Sequence, residues 1–154
     1  MSPTRPAEMG NHQPAKCKFL MLIIIVLDML NVFNIDCSAL SRFGIRYLLQ
    51  QCLEDYLLHE FNSVSEVVAG GGFLVPDMVF IGEGTGSFAL MALNQLKEAF
   101  PDSKFIVYNL GPQGNDGITY LKSGAQGYLN SNIDSNTLGN CIHTILDGKF
   151  CETE

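Results

Sequence analysis

Met78-Val-Phe-Ile81 is a run of four apolar residues, and Gly82-Glu-Gly-Thr-Gly86 breaks it. Ala89, Ala92, Leu93, Leu96 and Phe100 then recur at helical spacing, and Pro101 ends the run. A short unbroken apolar stretch is what a strand buried on both faces requires. The segment therefore reads as buried strand, tight turn and amphipathic helix, which is the repeating unit of a parallel sheet covered by helices.

The same unit recurs on both sides. Upstream, Asn31–Ile35 reads as a strand ending at Asp36. Ala39–Cys52 follows as a helix with apolar residues at 40, 43, 47, 48 and 52. Tyr56–Phe61 reads as a strand, and Val64–Val68 as a short helix that the glycines at 70–72 weaken or end. Downstream, Lys104–Tyr108 is the next strand, Gly114–Ser123 a poor helix and Gly127–Leu129 a short strand. A last helix is capped by Asp134 or Ser135, carries Leu138, Ile142, Ile145 and Leu146, and stops at Gly148. Five strand–helix pairs with short links predict a doubly wound, five-stranded parallel sheet in a three-layer α/β sandwich. Such sheets work at the carboxyl ends of their strands. The positions to examine are thus Asp36-Cys37, Gly82-Glu83, Asn109-Leu110 and Asn130-Ser131.

The chain has 154 residues, enough for one domain with its own core. It is acidic, with 16 Asp and Glu against 9 Lys and Arg, and no basic cluster offers a phosphate-binding stripe. Direct nucleic-acid binding by this chain is therefore not expected. Five cysteines, at 17, 37, 52, 141 and 151, show no metal-ligand spacing and read as free or buried thiols in a reducing cytoplasm. The three histidines are scattered, so no zinc site is expected.

Residues 1–18 are polar and read as disordered. Phe19–Leu27 is uniformly apolar and follows Lys16 and Lys18, the outline of a signal peptide's first two regions. It is too short to span a bilayer, and no small-residue cleavage site follows closely. Three readings stay open: export or anchoring, an apolar segment packed on the domain, or an extension foreign to a folded unit starting near Met29. The expected organisation is an extension over 1–29, a domain over 30–150, and a tail or linker start over 151–154.

Several stretches resemble the receiver domains of bacterial response regulators of the NarL/LuxR type. These are Ala39-Leu-Ser-Arg-Phe-Gly-Ile-Arg-Tyr-Leu-Leu49, Pro76-Asp-Met-Val-Phe-Ile81, Pro101-Asp-Ser-Lys-Phe-Ile-Val107, Leu121-Lys-Ser-Gly-Ala-Gln-Gly-Tyr-Leu129 and Ile145-Leu-Asp-Gly148. The resemblance covers about residues 30–150 and implies a flavodoxin-like fold. In that family an aspartate at the third strand's tip accepts a phosphoryl group, two acids after the first strand help hold Mg²⁺, and a Thr or Ser and a Lys sense the phosphate.

Carried over position by position, the resemblance keeps little of that set. Asp36 matches the first acid, and the second falls on Cys37. The acceptor falls on Gly82, the Thr/Ser on Asn109 and the Lys on Ser131, while the aromatic three residues before the Lys is kept as Tyr128. Glu83 lies one residue past the acceptor position, so strand alternation aims it to the other side unless the glycine turn redirects it. Asp36, with or without Glu83, is a weak Mg²⁺ candidate, and no cofactor is expected. The resemblance thus implies a degenerate receiver, a non-enzymatic module of two-component signalling and transcription regulation. It would act through protein contacts, commonly as a homodimer, in the cytoplasm, with a helix-turn-helix domain fused or missing. Tyr128 would be its packing switch.

A rival reading is a small-molecule or nucleotide-binding module using Gly82–Ser87. There a strand leads through G-x-G-x-x-S into a helix, approximating a phosphate-binding turn.

Overall fold

The computed structural model describes residues 13–70, 74–84, 88–111 and 117–153. Helix α1 spans Gln13–Asp28, strand β1 Leu30–Ile35, helix α2 Ala39–Cys52, strand β2 Tyr56–Phe61 and helix α3 Val64–Gly70. Strand β3 covers Met78–Gly82, helix α4 Phe88–Ala99, strand β4 Lys104–Tyr108 and helix α5 Ile118–Lys122. Strand β5 covers Gly127–Leu129, helix α6 Ser135–Leu146 and strand β6 Cys151–Glu152.

The sheet runs β2-β1-β3-β4-β5-β6, with every pairing parallel. From β1 the chain steps outward to β2 and then crosses to β3, so the strand order reverses between β1 and β3. Alternation along the strands divides the core in two. Phe33, Ile35, Val79, Ile81, Phe105 and Val107 face α4 and the Val67 side of α3. Val32, Met78, Phe80, Ile106 and Tyr108 face Ile45 and Leu49 of α2 and Leu138, Ile142 and Ile145 of α6. All five residues of β3 are buried, as a strand covered on both faces must be. Local signals set the helix ends. Ser38 caps α2 by accepting from Ser41 N–H at 3.2 Å, and Asp134 caps α6 by accepting from Thr137 N–H at 2.7 Å.

Three expectations change. The sheet has six strands instead of five: Cys151–Glu152 adds to the β5 edge. The cysteines are not all thiols, because Cys141 and Cys151 form a disulfide. Residues 13–18 are helical and not disordered. Phe19–Ile25 are each 40–65% exposed, so these side chains are not packed on the domain. Among the described residues no helix is long and apolar enough to cross a membrane. Residues 1–12 of the expected disordered stretch, Gly71 and Gly72, 114–116 of the poor helix, and Glu154 lie outside the described residues.

Candidate functional site

The reversal of strand order brings the tips of β1 and β3 together, and the tip of β4 flanks them. A pocket of about 290 Å³ opens there, lined in part by Asp36, Cys37, Ser38, Glu83, Tyr108 and Asn109.

Asp36 follows β1 on the α2/α6 side of the sheet, in step with Asn34. Both are buried, Asp36 with 4% of its surface exposed. Asp36 Oδ1 accepts from Ser38 N–H at 2.8 Å, and Oδ2 accepts from the Tyr108 hydroxyl at 3.0 Å. The same hydroxyl lies 2.9 Å from Asn34 Oδ1. Burial, then the Asp36 charge, push the Tyr108 phenol well above its ordinary range, so it stays protonated as the donor. Arg42 Nη1 donates to the Asp36 backbone carbonyl. This carboxylate lies against Gly82: a Cβ at position 82 would collide with Asp36 Oδ2 and Cγ. A side chain at 82 would therefore require the Asp36 carboxylate to move.

Glu83 is equally buried, at 4% exposure, but on the opposite face. The glycine turn does not redirect it. Its Oε1 accepts from the Tyr120 hydroxyl at 3.0 Å. Its Oε2 accepts from the Tyr128 hydroxyl and from Asn109 Nδ2, each at 2.9 Å. The Tyr120 and Tyr128 rings stack with centroids 5.6 Å apart. Three donors offset the cost of burying the carboxylate. Gly84 turns the chain away in the left-handed region, with φ of 62°. Asn109 Oδ1 also accepts from Gly111 N–H at 2.7 Å, fixing the β4 exit.

The structure thus gathers Asp36, Gly82, Glu83, Asn109 and Tyr128 at one end of the sheet. Cys37 and Ser131 are exposed. Thr85, Gly86 and Ser87, on which the phosphate-turn reading depends, lie outside the described residues. Sequence reasoning missed Tyr108, Tyr120 and Asn34. A signal existed for two of them: Asn34 is two residues before Asp36, and Tyr108 ends a strand, so parity places both on the Asp36 side once β4 is set beside β3. Nothing local marks Tyr120, which lies in a five-residue helix.

No protein-family model matches the chain. The nitrate/nitrite response regulator protein NarL of Escherichia coli K12 is 23% identical over 124 residues, covering 80% of this chain and 57% of NarL. The chain therefore spans little more than half the length of that relative. Among solved structures, the isolated receiver domain of RcsB from Salmonella enterica serovar Typhimurium, with a phosphomimetic beryllofluoride, superposes with a TM-score of 0.69. It is 18% identical, and the match covers 82% of this chain and 95% of that isolated domain. A LuxR-family DNA-binding response regulator from Silicibacter pomeroyi gives 0.66 at 20% identity, covering 82% of this chain and 98% of the other. From Leu30 onward the chain thus has the fold of these receiver domains, and its sequence is similar to that of a NarL-type response regulator.

Proposed function

We propose that this receiver is a signalling and interaction module that aspartyl phosphorylation does not switch, and that it is not an enzyme. One observation carries the reading: the tip of β3 presents Gly82, and the Asp36 carboxylate fills the space any side chain there would need. The carboxylate that remains nearby, Glu83, is held by Tyr120, Tyr128 and Asn109 on the other face, turned away from Asp36. In-line attack on a phosphodonor needs a carboxylate free to approach it.

The donor set does not suit Mg²⁺ either. Mg²⁺ takes near-octahedral oxygen ligands and is usually held by one or two carboxylates. Here both oxygens of Asp36 already accept hydrogen bonds, and the neighbouring position is a cysteine. Among the described residues no three His, Cys, Asp or Glu groups converge on a common point. No cationic side chain stands at Ser131 to meet a phosphoryl group.

Signalling then runs through protein contacts in the cytoplasm, with homodimerisation and a DNA-binding domain in the same pathway. Support comes from RcsB, whose structures include two dimers bound to two parallel DNAs. Partner binding shifts an existing conformational equilibrium, in which Tyr128 is the group that moves. Sedimentation equilibrium over a concentration series tests this. The expected result is a dimer whose population ignores acetyl phosphate and Mg²⁺. A monomer that dimerises only when both are added overturns the reading.

A further inference from the structure

Strand β6 has two residues, yet it is held at several points. Cys151 N–H donates to Gln126 O at 2.9 Å and Thr153 N–H to Tyr128 O at 3.0 Å. Asn130 N–H donates to Thr153 Oγ1 at 3.1 Å, and Asn130 Nδ2 to Thr153 O at 3.0 Å. A strand this short frays readily when nothing else tethers it. The tether is the disulfide. Cys141 is buried on α6, its Cα is 5.5 Å from that of Cys151, and the bridge closes a loop of sequence separation 10. Cys151 is only half-buried, so a small thiol reagent can reach the bond.

Tyr128 connects this edge to the sheet's carboxyl end. Its backbone carbonyl accepts from Thr153, and its hydroxyl donates to Glu83. Asn130, just past the tip of β5, bonds to Thr153 beside β6, and its Oδ1 accepts from Asn132 N–H in the following turn. Order in β6 is thus order in the strand that carries Tyr128.

We infer that the Cys141–Cys151 disulfide is a redox-operated latch on the β5 edge. Oxidised, it holds β6 in the sheet and keeps the outer hydrogen-bonding groups of β5 paired. Reduction by a dithiol breaks the S–S bond: two electrons and two protons pass to the two sulfurs, leaving two thiols, and the dithiol closes to its own disulfide. β6 then leaves, the β5 edge is uncovered and Asn130 is released. An uncovered edge is a template for strand addition, so the latch sets whether this edge is available to another chain.

Amide hydrogen exchange on the full chain, followed by NMR, tests the inference. Adding dithiothreitol to the oxidised protein is expected to lower protection of the Cys151, Thr153 and Asn130 amides by about tenfold or more, leaving Val79 and Ile106 unchanged. Cys151→Ser, which keeps the buried Cys141 in place, should resemble the reduced protein and ignore dithiothreitol. The latch is overturned if the three amides keep their protection on reduction. It is equally overturned if Val79 and Ile106 lose protection in step with them, making the bond a staple of the whole fold. It also fails if both cysteines alkylate in the native protein before any reductant is added.

Discussion

Asp36 and Glu83 are two buried carboxylates at the same end of one sheet, and they are held in opposite ways. Asp36 leans on the α2/α6 face and takes up room: its carboxylate sits where a side chain at position 82 would go. Glu83, on the other face, takes up partners: two stacked tyrosines and an asparagine converge on it. The first arrangement excludes a neighbour by volume. The second joins β3, β4, α5 and β5 through one side chain. A single step along a strand, from Gly82 to Glu83, separates a void filled from outside and a network built from inside.

If that contrast holds, Glu83→Ala is the costliest change at this end of the sheet. It removes the acceptor shared by the Tyr120 and Tyr128 hydroxyls and Asn109 Nδ2, and urea unfolding should show a loss of about 3 kcal/mol or more. Asp36→Ala should cost less, about 1–2 kcal/mol, because the Tyr108 hydroxyl keeps Asn34 Oδ1. A larger loss at Asp36 than at Glu83 would break the comparison.

The volume argument is sharpened by a double-mutant cycle. Gly82→Ala alone should lose about 1–3 kcal/mol through collision with Asp36. In the Asp36→Ala background the same substitution should cost under about 0.5 kcal/mol, since the obstacle is gone. Additive losses would show that Gly82 is required for some reason other than the carboxylate beside it.

The smallest effect concerns pH. The Tyr108 phenol ionises higher in the folded state than its ordinary value of 10.0. The unfolded chain therefore sheds this proton first as pH rises. The stability the group contributes is complete below about pH 10 and declines above it, by up to ~1.4 kcal/mol per pH unit toward the native value. Tyr108→Phe should flatten the alkaline arm of the stability curve by that amount. An unchanged slope would place the titrating group elsewhere.

Much of the fold was legible because burial on both faces writes itself as an apolar run. Met78–Ile81, Lys104–Tyr108 and Gly127–Leu129 read as strands and lie in strands, and the apolar spacing of Ala39–Cys52 marks a helix with those bounds. Asp134 capped its helix as its side chain allows. β6 was not legible, because two residues carry no period and their pairing depends on a disulfide that closes only in three dimensions. At the candidate site, alternation told which side Glu83 leaves the strand, but not that Tyr120 and Tyr128 meet it there. The residues meeting Glu83 come from α5 and β5, 37 and 45 positions away. Only tertiary packing brings such distant groups together.

The most direct test of the central claim is the mass of the intact protein after incubation with acetyl phosphate and Mg²⁺. The account predicts an unchanged mass, because Gly82 offers no acceptor, Asp36 is fixed against it and Glu83 is engaged on the far face. A phosphoryl adduct that is lost on mild alkaline treatment, as an acyl phosphate is, would contradict it.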